Sequence, residues 1–182
     1  MRFQNPNIQF ATKEDIIPLK NLLNKAYRGE AARKGWTHEA DLIEGEVRTD
    51  ENNLSNVMDI PGSIFLKYLN EEGKIIGCVN LQNQKTNLYL GMFGVNPEIQ
   101  GQGIGKNILA AADEYALHLG ISKIIMTVIS VRAKLIGWYN KNGYLPTGEI
   151  IPFKEDGLTG KHLQPLEFVV LEKILIGNNS KW

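Results

Sequence analysis

The sequence has no excess of either charge: 20 basic residues stand against 20 acidic ones in 182. No overall field therefore draws the chain to DNA, RNA or an anionic membrane. Cysteine is nearly absent. Cys78 alone excludes an internal disulfide and a cysteine-built zinc cluster, and it suits a reducing compartment. No apolar run approaches the roughly 18–20 residues of a membrane span, and Met1-Arg2 leads into polar sequence instead of a signal-peptide core. Internal repeats, low-complexity blocks and linkers are missing too. These absences predict a cytoplasmic protein with small partners, built as one domain over residues 1–176 with a frayed tail at 177–182.

What is there is hydrophobic periodicity. Residues 7–11 alternate as an opening strand does. Asp15 then predicts an N-cap that puts Pro18 in the first helical turn, where a missing N–H costs little, with Ile16, Leu19, Leu22, Leu23 and Ala26 on one face. Tyr27–Gly35 reads as a loop. Trp36–Gly45 reads as a short helix capped by Thr37, and 51–59 as another. Strands follow at 64–69 and 74–81 around Glu71-Glu-Gly73, then at 87–95, where Gly91 and Gly94 mark a bulge or a ligand's close approach. Ile104, Ile108, Leu109, Ala112, Tyr115, Ala116 and Leu119 trace a long helix closed by Gly120. A strand at 122–128, a helix at 133–142 and strands at 144–152 and 166–174 complete the chain.

Chemistry concentrates in Val95-Asn-Pro-Glu-Ile-Gln-Gly-Gln-Gly-Ile-Gly-Lys106. Glycines 101, 103 and 105 keep side chains off the backbone and permit a positive φ. Unpaired N–H groups at a helix start favour an anion, each charge–dipole contact contributing roughly 0.3–1 kcal/mol when exposed. Spacing narrows the kind of anion site. A P-loop has four residues between its first glycine and its Gly-Lys pair, then Ser or Thr; here three residues separate Gly101 from Gly105-Lys106, and Asn107 follows. A dinucleotide fingerprint would carry its third glycine one residue after Gly105.

The pattern that fits is Gln100-x-x-Gly103-x-Gly105 after a strand ending Val95-Asn-Pro97. This segment resembles the turn that wraps the coenzyme A pyrophosphate in the GNAT superfamily of acyl-CoA N-acyltransferases. A second segment, Leu135-Ile-Gly-Trp-Tyr139-Asn-Lys-Asn-Gly143-Tyr144, is similar to the family's [FW]-Tyr-x-x-x-Gly-[FY] signature. Gly35-Trp36-Thr37, Glu39-Ala-Asp-Leu42 and Glu46-Val-Arg48-Thr49 resemble an N-terminal pattern found in one group of these enzymes.

The resemblance covers residues 7–175 and implies an α/β (α+β) GNAT fold. That fold is a mixed, mostly antiparallel sheet of about seven strands, flanked by four or five helices and splayed between strands 87–95 and 122–128. It implies acetyl-CoA as co-substrate and no metal. Phe93, Gly94, Val95, Gln100, Gly101, Gln102, Gly103, Ile104, Gly105 and Lys106 are implied to hold the cofactor, the N–H of Val95 polarising the thioester carbonyl. Arg132 stands where many members have an asparagine; it is assigned to the cofactor, with a phosphate or a carboxylate as its alternative partners. Tyr139 is the implied donor to the leaving thiolate. Tyr27, Trp36, Arg48 and His162 are the candidates for the acceptor side, Arg48 as the grip on a substrate carboxylate.

The chemistry sets its own demands. An alkyl ammonium with a pKa near 10.4 must lose a proton to attack, which costs roughly 4–5 kcal/mol at pH 7. Glu46 is the first choice as base, with water as its competitor and Glu30 and Asp41 as further carboxylates, while Glu98 reads as exposed beside Pro97. With Cys78 as the only thiol, direct transfer in a ternary complex is expected over an acyl-enzyme. The expected activity is N-acetylation of a small primary amine or amino acid. A protein N-terminus or lysine is the alternative acceptor, and a non-catalytic acyl-CoA-binding module is the alternative class. A homodimer is compatible with the sequence, which marks no interface.

Overall fold

A computed structural model describes residues 1–175; the tail expected at 177–182 lies outside the described residues. The elements run β1 (Ile8–Phe10), α1 (Ile16–Tyr27), α2 (Gly29–Ala32), β2 (Ile43–Glu44), α3 (Glu51–Asp59), β3 (Ser63–Leu69), β4 (Ile75–Asn83), β5 (Leu88–Val95), α4 (Ile104–His118), β6 (Lys123–Ile129), α5 (Ala133–Lys141), β7 (Leu145–Phe153), β8 (Lys161–His162) and β9 (Leu166–Ile174). Seven strands form one sheet in the order β1-β3-β4-β5-β6-β9-β7, and β2 pairs with β8 in a separate ribbon. Every pair in the main sheet is antiparallel except β5 with β6. The mixed, mostly antiparallel sheet expected from the sequence is therefore present.

Helices cover both faces. The 3.6-residue period of α4 buries Ile104, Ile108, Leu109, Ala112 and Ala116 against one face with Val79, Leu81, Leu88 and Leu90. On the other face Leu19, Leu22 and Leu23 of α1 meet Leu54, Phe65 and Cys78. Each fully buried leucine or phenylalanine contributes roughly 1.5–3 kcal/mol. Gly77 on β4 lets α4 approach closely, since a Cβ there would lie 2.7 Å from Ile108 Cδ1.

The feature that positions the site is a separation of strands. β5 and β6 pair only at Leu88–Ile124 and Tyr89–Ile125. Beyond that point β6 follows β9 along its whole length, from Lys123–Ile174 to Ile129–Phe168. β5 stays with β4 and kinks: Asn80 faces Gly91 and Cys78 faces Gly94, so Val79 alone opposes Met92 and Phe93. This bulge holds Met92 at φ 43° and turns the end of β5 away from β6. A wedge opens between two parallel strands.

Three local expectations differ from the structure. Trp36–Gly45 is not a helix but a folded segment ending in β2. Thr37 Oγ1 accepts a hydrogen bond from Gln100 Nε2 (2.8 Å) and so does not cap a helix, while Ile43 is buried in a small cluster with Ile129 and Leu166. Residues 29–32, read as loop, form one helical turn, α2. Asp15 precedes α1, with Pro18 in the first turn as expected, but its carboxylate accepts from Thr12 N (2.8 Å) and pairs with Lys67 (2.8 Å) and so does not cap that helix.

Candidate active site

Two cavities share the wedge. The larger, about 350 Å³, opens over the glycine turn and α4; the smaller, about 180 Å³, lies between β5, β6 and the segments around Glu39 and Arg48. Tyr27, Phe93, Leu135 and Tyr139 line both. The side chains where the cavities meet are thus mostly aromatic.

At the mouth of the larger chamber, Gly101 and Gly103 take φ of 88° and 80°. An ideal Cβ on either would meet nothing within 4 Å, so the space beside the turn is open. Gly103 is the N-cap of α4, and no side chain caps it. The first helical bond runs from Asn107 N to Gly103 O (3.0 Å), and among the described residues no acceptor takes the amides of residues 102–106. Free donors at the positive end of a 15-residue helix, beside Lys106, form an anion site. Gln100 serves the same chamber indirectly: its Oε1 accepts from Trp36 N (3.1 Å), tying Trp36 and Thr37 to the turn.

Val95, at the open end of β5, also lines the larger chamber. Asn96 N–H donates to Ile76 O (2.9 Å), so by strand alternation the Val95 N–H points away from β4, into the gap that β6 has left. Gly94 packs against Leu23, and Phe93 reaches Trp138 and Tyr139 with ring centroids 6.2 and 6.3 Å apart.

Tyr139 projects from α5 into an aromatic nest. Its ring meets Trp138 at 5.1 Å and Tyr144 at 5.9 Å, both edge-on, which fixes its orientation. Burial, reinforced by the neighbouring Tyr27, pushes its phenol well above the ordinary value. The group therefore keeps its proton. Tyr27 donates its own hydroxyl proton to Phe93 O, and burial followed by the charge of Glu39 raises it to about 12.

The smaller chamber is electrically lopsided. Glu39 Oε2 lies 2.6 Å from Arg28 Nη1 and Oε1 lies 3.4 Å from Arg132 Nη1. Arg28, wholly buried, also donates through Nε and Nη2 to Thr159 O (3.1 and 3.0 Å), strapping the segment before β8 to the end of α1. Arg48 adds another cation, its guanidinium 5.7 Å from the centre of the Tyr27 ring.

The sequence-derived candidates divide accordingly. The structure gathers Tyr27, Trp36, Phe93, Val95, Gln100, Gly101, Gly103, Ile104, Gly105, Lys106 and Tyr139 around the larger chamber. Gln102 is an exposed residue of the same turn. Arg132 donates to Thr37 O and Glu39 and lines the smaller chamber, so of its two alternative partners the one it meets here is a carboxylate. Glu46 lines neither chamber; it is exposed, with its carboxylate against Gly29. His162 is paired with Ile43 in the β2–β8 ribbon, its ring 4.5 Å from Phe153, and borders a separate depression. Glu30 and Asp41 pair with Arg33 on the surface, and Glu98 with Lys25 and Lys34. Glu39 was missed as a site residue, since its position depends on Arg28 and Arg132, which contact it across 11 and 93 residues.

Two chambers that meet at one aromatic junction, one of them with an anion-ready turn, offer room for two reactants side by side. The chain belongs to the Acetyltransferase (GNAT) family, whose profile matches residues 19–144. It is 26% identical over 125 residues to N-acetyltransferase 8B of Homo sapiens, a match covering 65% of this chain and 53% of that protein; the chain thus spans about half the length of this relative. The fold is shared with yncA from Salmonella typhimurium, solved with its cofactor acetyl-CoA (18% identity, TM-score 0.66, 93% of each chain). It is also shared with the ribosomal-protein-alanine N-acetyltransferase of Brucella melitensis (21% identity, TM-score 0.67, 92% of this chain and 99% of that one).

Proposed function

We propose that this protein transfers the acetyl group of acetyl-CoA to the primary amine of a small molecule by direct attack within a ternary complex. The observation that carries the reading is that Tyr139 lines both chambers. A donor group at the junction and an acceptor arriving from the far side would meet at one phenol.

The residues present fit acetyl-CoA. The turn offers amides without acceptors, space that a Cβ at 101 or 103 would fill, and a lysine. When bound, the cofactor supplies an activated acetyl thioester. The amides of 102–106 and Lys106 would balance the diphosphate charge, the Val95 N–H would hold the carbonyl oxygen, and Tyr139 would present its proton to the sulfur. With its phenol raised, Tyr139 would hydrogen-bond the sulfur and keep its proton.

Cys78 is fully buried and pushed up to about 12, so it supplies no thiolate to carry an acyl group. Among the described residues Glu39 is the single carboxylate lining the acceptor chamber, and two guanidiniums occupy it. The proton therefore leaves to water. Three arginines around one carboxylate also disfavour an ammonium, which lowers the cost of a neutral amine.

At about 180 Å³ the acceptor chamber is smaller than the roughly 300–1,000 Å³ of drug-sized sites, which favours a small acceptor. A thiol-release assay with acetyl-CoA over small amines and free-N-terminus or lysine peptides tests this. Faster release with small amines is expected. Preference for a peptide would move the acceptor to protein, and tight acetyl-CoA binding without turnover on any amine would make the chain a binding module.

A further inference from the structure

Resting on the acetyl-transfer reading above, we infer that Arg48 is an anion anchor and that the acceptor is an amine carrying a carboxylate. The argument begins with which cations are already engaged. Arg28 donates to Thr159 O, Tyr27 O and Glu39, and Arg132 donates to Thr37 O and Glu39. Arg48 differs. Among the described residues no carboxylate lies within 4.0 Å of its guanidinium, and no acceptor takes its side-chain N–H groups.

Its position is nevertheless fixed. Asn24 Oδ1 accepts from the backbone N–H of Arg48 (2.7 Å) and of Thr49 (2.9 Å), and Asn24 Nδ2 donates to Thr49 O (3.0 Å). These bonds clamp the segment to α1, and the Tyr27 ring supports the guanidinium at 5.7 Å. A half-buried planar fork with its donors open to a chamber is the usual device for gripping a carboxylate in two places.

The surrounding charges call for an anion. Arg28, Arg48 and Arg132 stand against Glu39 and the more distant Asp156, whose Oδ1 accepts from Leu158 N, Thr159 N and Thr159 Oγ1 (2.8–2.9 Å), so three cations meet two carboxylates. A substrate carboxylate would offset that excess. The rest of the chamber wall is largely apolar, including Met92, Met126 and Phe168, with the Tyr89–Thr127 hydroxyl pair (3.1 Å) as a polar patch. The lining suits an acceptor with its amine toward Tyr139, its carboxylate on Arg48 and a short apolar body.

The experiment uses the full chain, acetyl-CoA and matched acceptors. These are the common L-amino acids, β-alanine and 4-aminobutyrate, each paired with the amine that lacks its carboxylate, and a peptide with a free N-terminus. The best acceptor should carry a carboxylate, and removing that group should lower kcat/KM about 10- to 100-fold. Arg48→Met should shrink the ratio to within about threefold by raising the acceptor's KM, with KM for acetyl-CoA unchanged, and Arg48→Lys should keep part of it. Thermal melts of both variants check that they fold. A best acceptor without a carboxylate, or an Arg48→Met enzyme that loses both members of a pair equally, overturns this inference alone. No thiol release from any acceptor overturns the acetyl-transfer reading and this inference with it.

Discussion

Glu39 and Arg28 form a buried ion pair at 2.6 Å, the guanidinium of Arg28 fully out of contact with solvent. Arg132 closes on the other oxygen at 3.4 Å, so one carboxylate joins the end of α1, the segment before β2 and the approach to α5. Breaking such a pair from one side leaves buried charge uncompensated, which costs about 3–5 kcal/mol. Glu39→Ala should lower the melting temperature by roughly 10 °C or more. Thermal denaturation checks this, and an unchanged melt would mean that solvent reaches the arginines.

Gly103→Ala should separate binding from stability. The φ of 80° costs an alanine about 1–2 kcal/mol, but its Cβ would strike nothing within 4 Å. The fold should survive with a modest drop in melting temperature. Acetyl-CoA, which would share that space, should bind more than about tenfold more weakly by calorimetry.

The glycine turn, α4 and Tyr139 were legible in the sequence because each depends on residues close together along the chain. Gly91 and Gly94 likewise announced the bulge that the register of β4 and β5 displays. The smaller chamber was not legible in the same way. Trp36–Gly45 has the caps of a helix, yet Thr37 is bound to Gln100 and Glu39 to Arg28 and Arg132, contacts that no local pattern encodes. His162 shows the same limit: a two-residue strand paired with Ile43 carries it away from the chambers.

Glu46 is exposed and lines neither chamber. Glu46→Gln should therefore leave kcat within about twofold and the pH–rate profile unchanged. A large loss of kcat with a shifted acid limb would restore it as the base.

The tyrosines predict two pH dependences. With Tyr139 raised well above 10 and Tyr27 at about 12, neither ionises between pH 7 and 10. The rise of kcat/KM with pH should follow the acceptor amine, moving when an amine of different pKa is supplied. For stability the sign follows from linkage. An unfolded Tyr27 ionises near pH 10 and the folded one near 12, so its contribution is constant below pH 10 and is lost as pH rises from 10 to 12, by about 3 kcal/mol at most. Denaturant titrations at pH 9 and 11 should show this loss, smaller in Tyr27→Phe.

The most direct measurement compares thiol release by the wild-type protein and Tyr139→Phe at saturating acetyl-CoA and acceptor, alongside the acetyl-CoA Kd of each. Removing the phenol that lines both chambers should lower kcat by about 100-fold or more while Kd changes little. Full activity with phenylalanine at 139 would contradict the account.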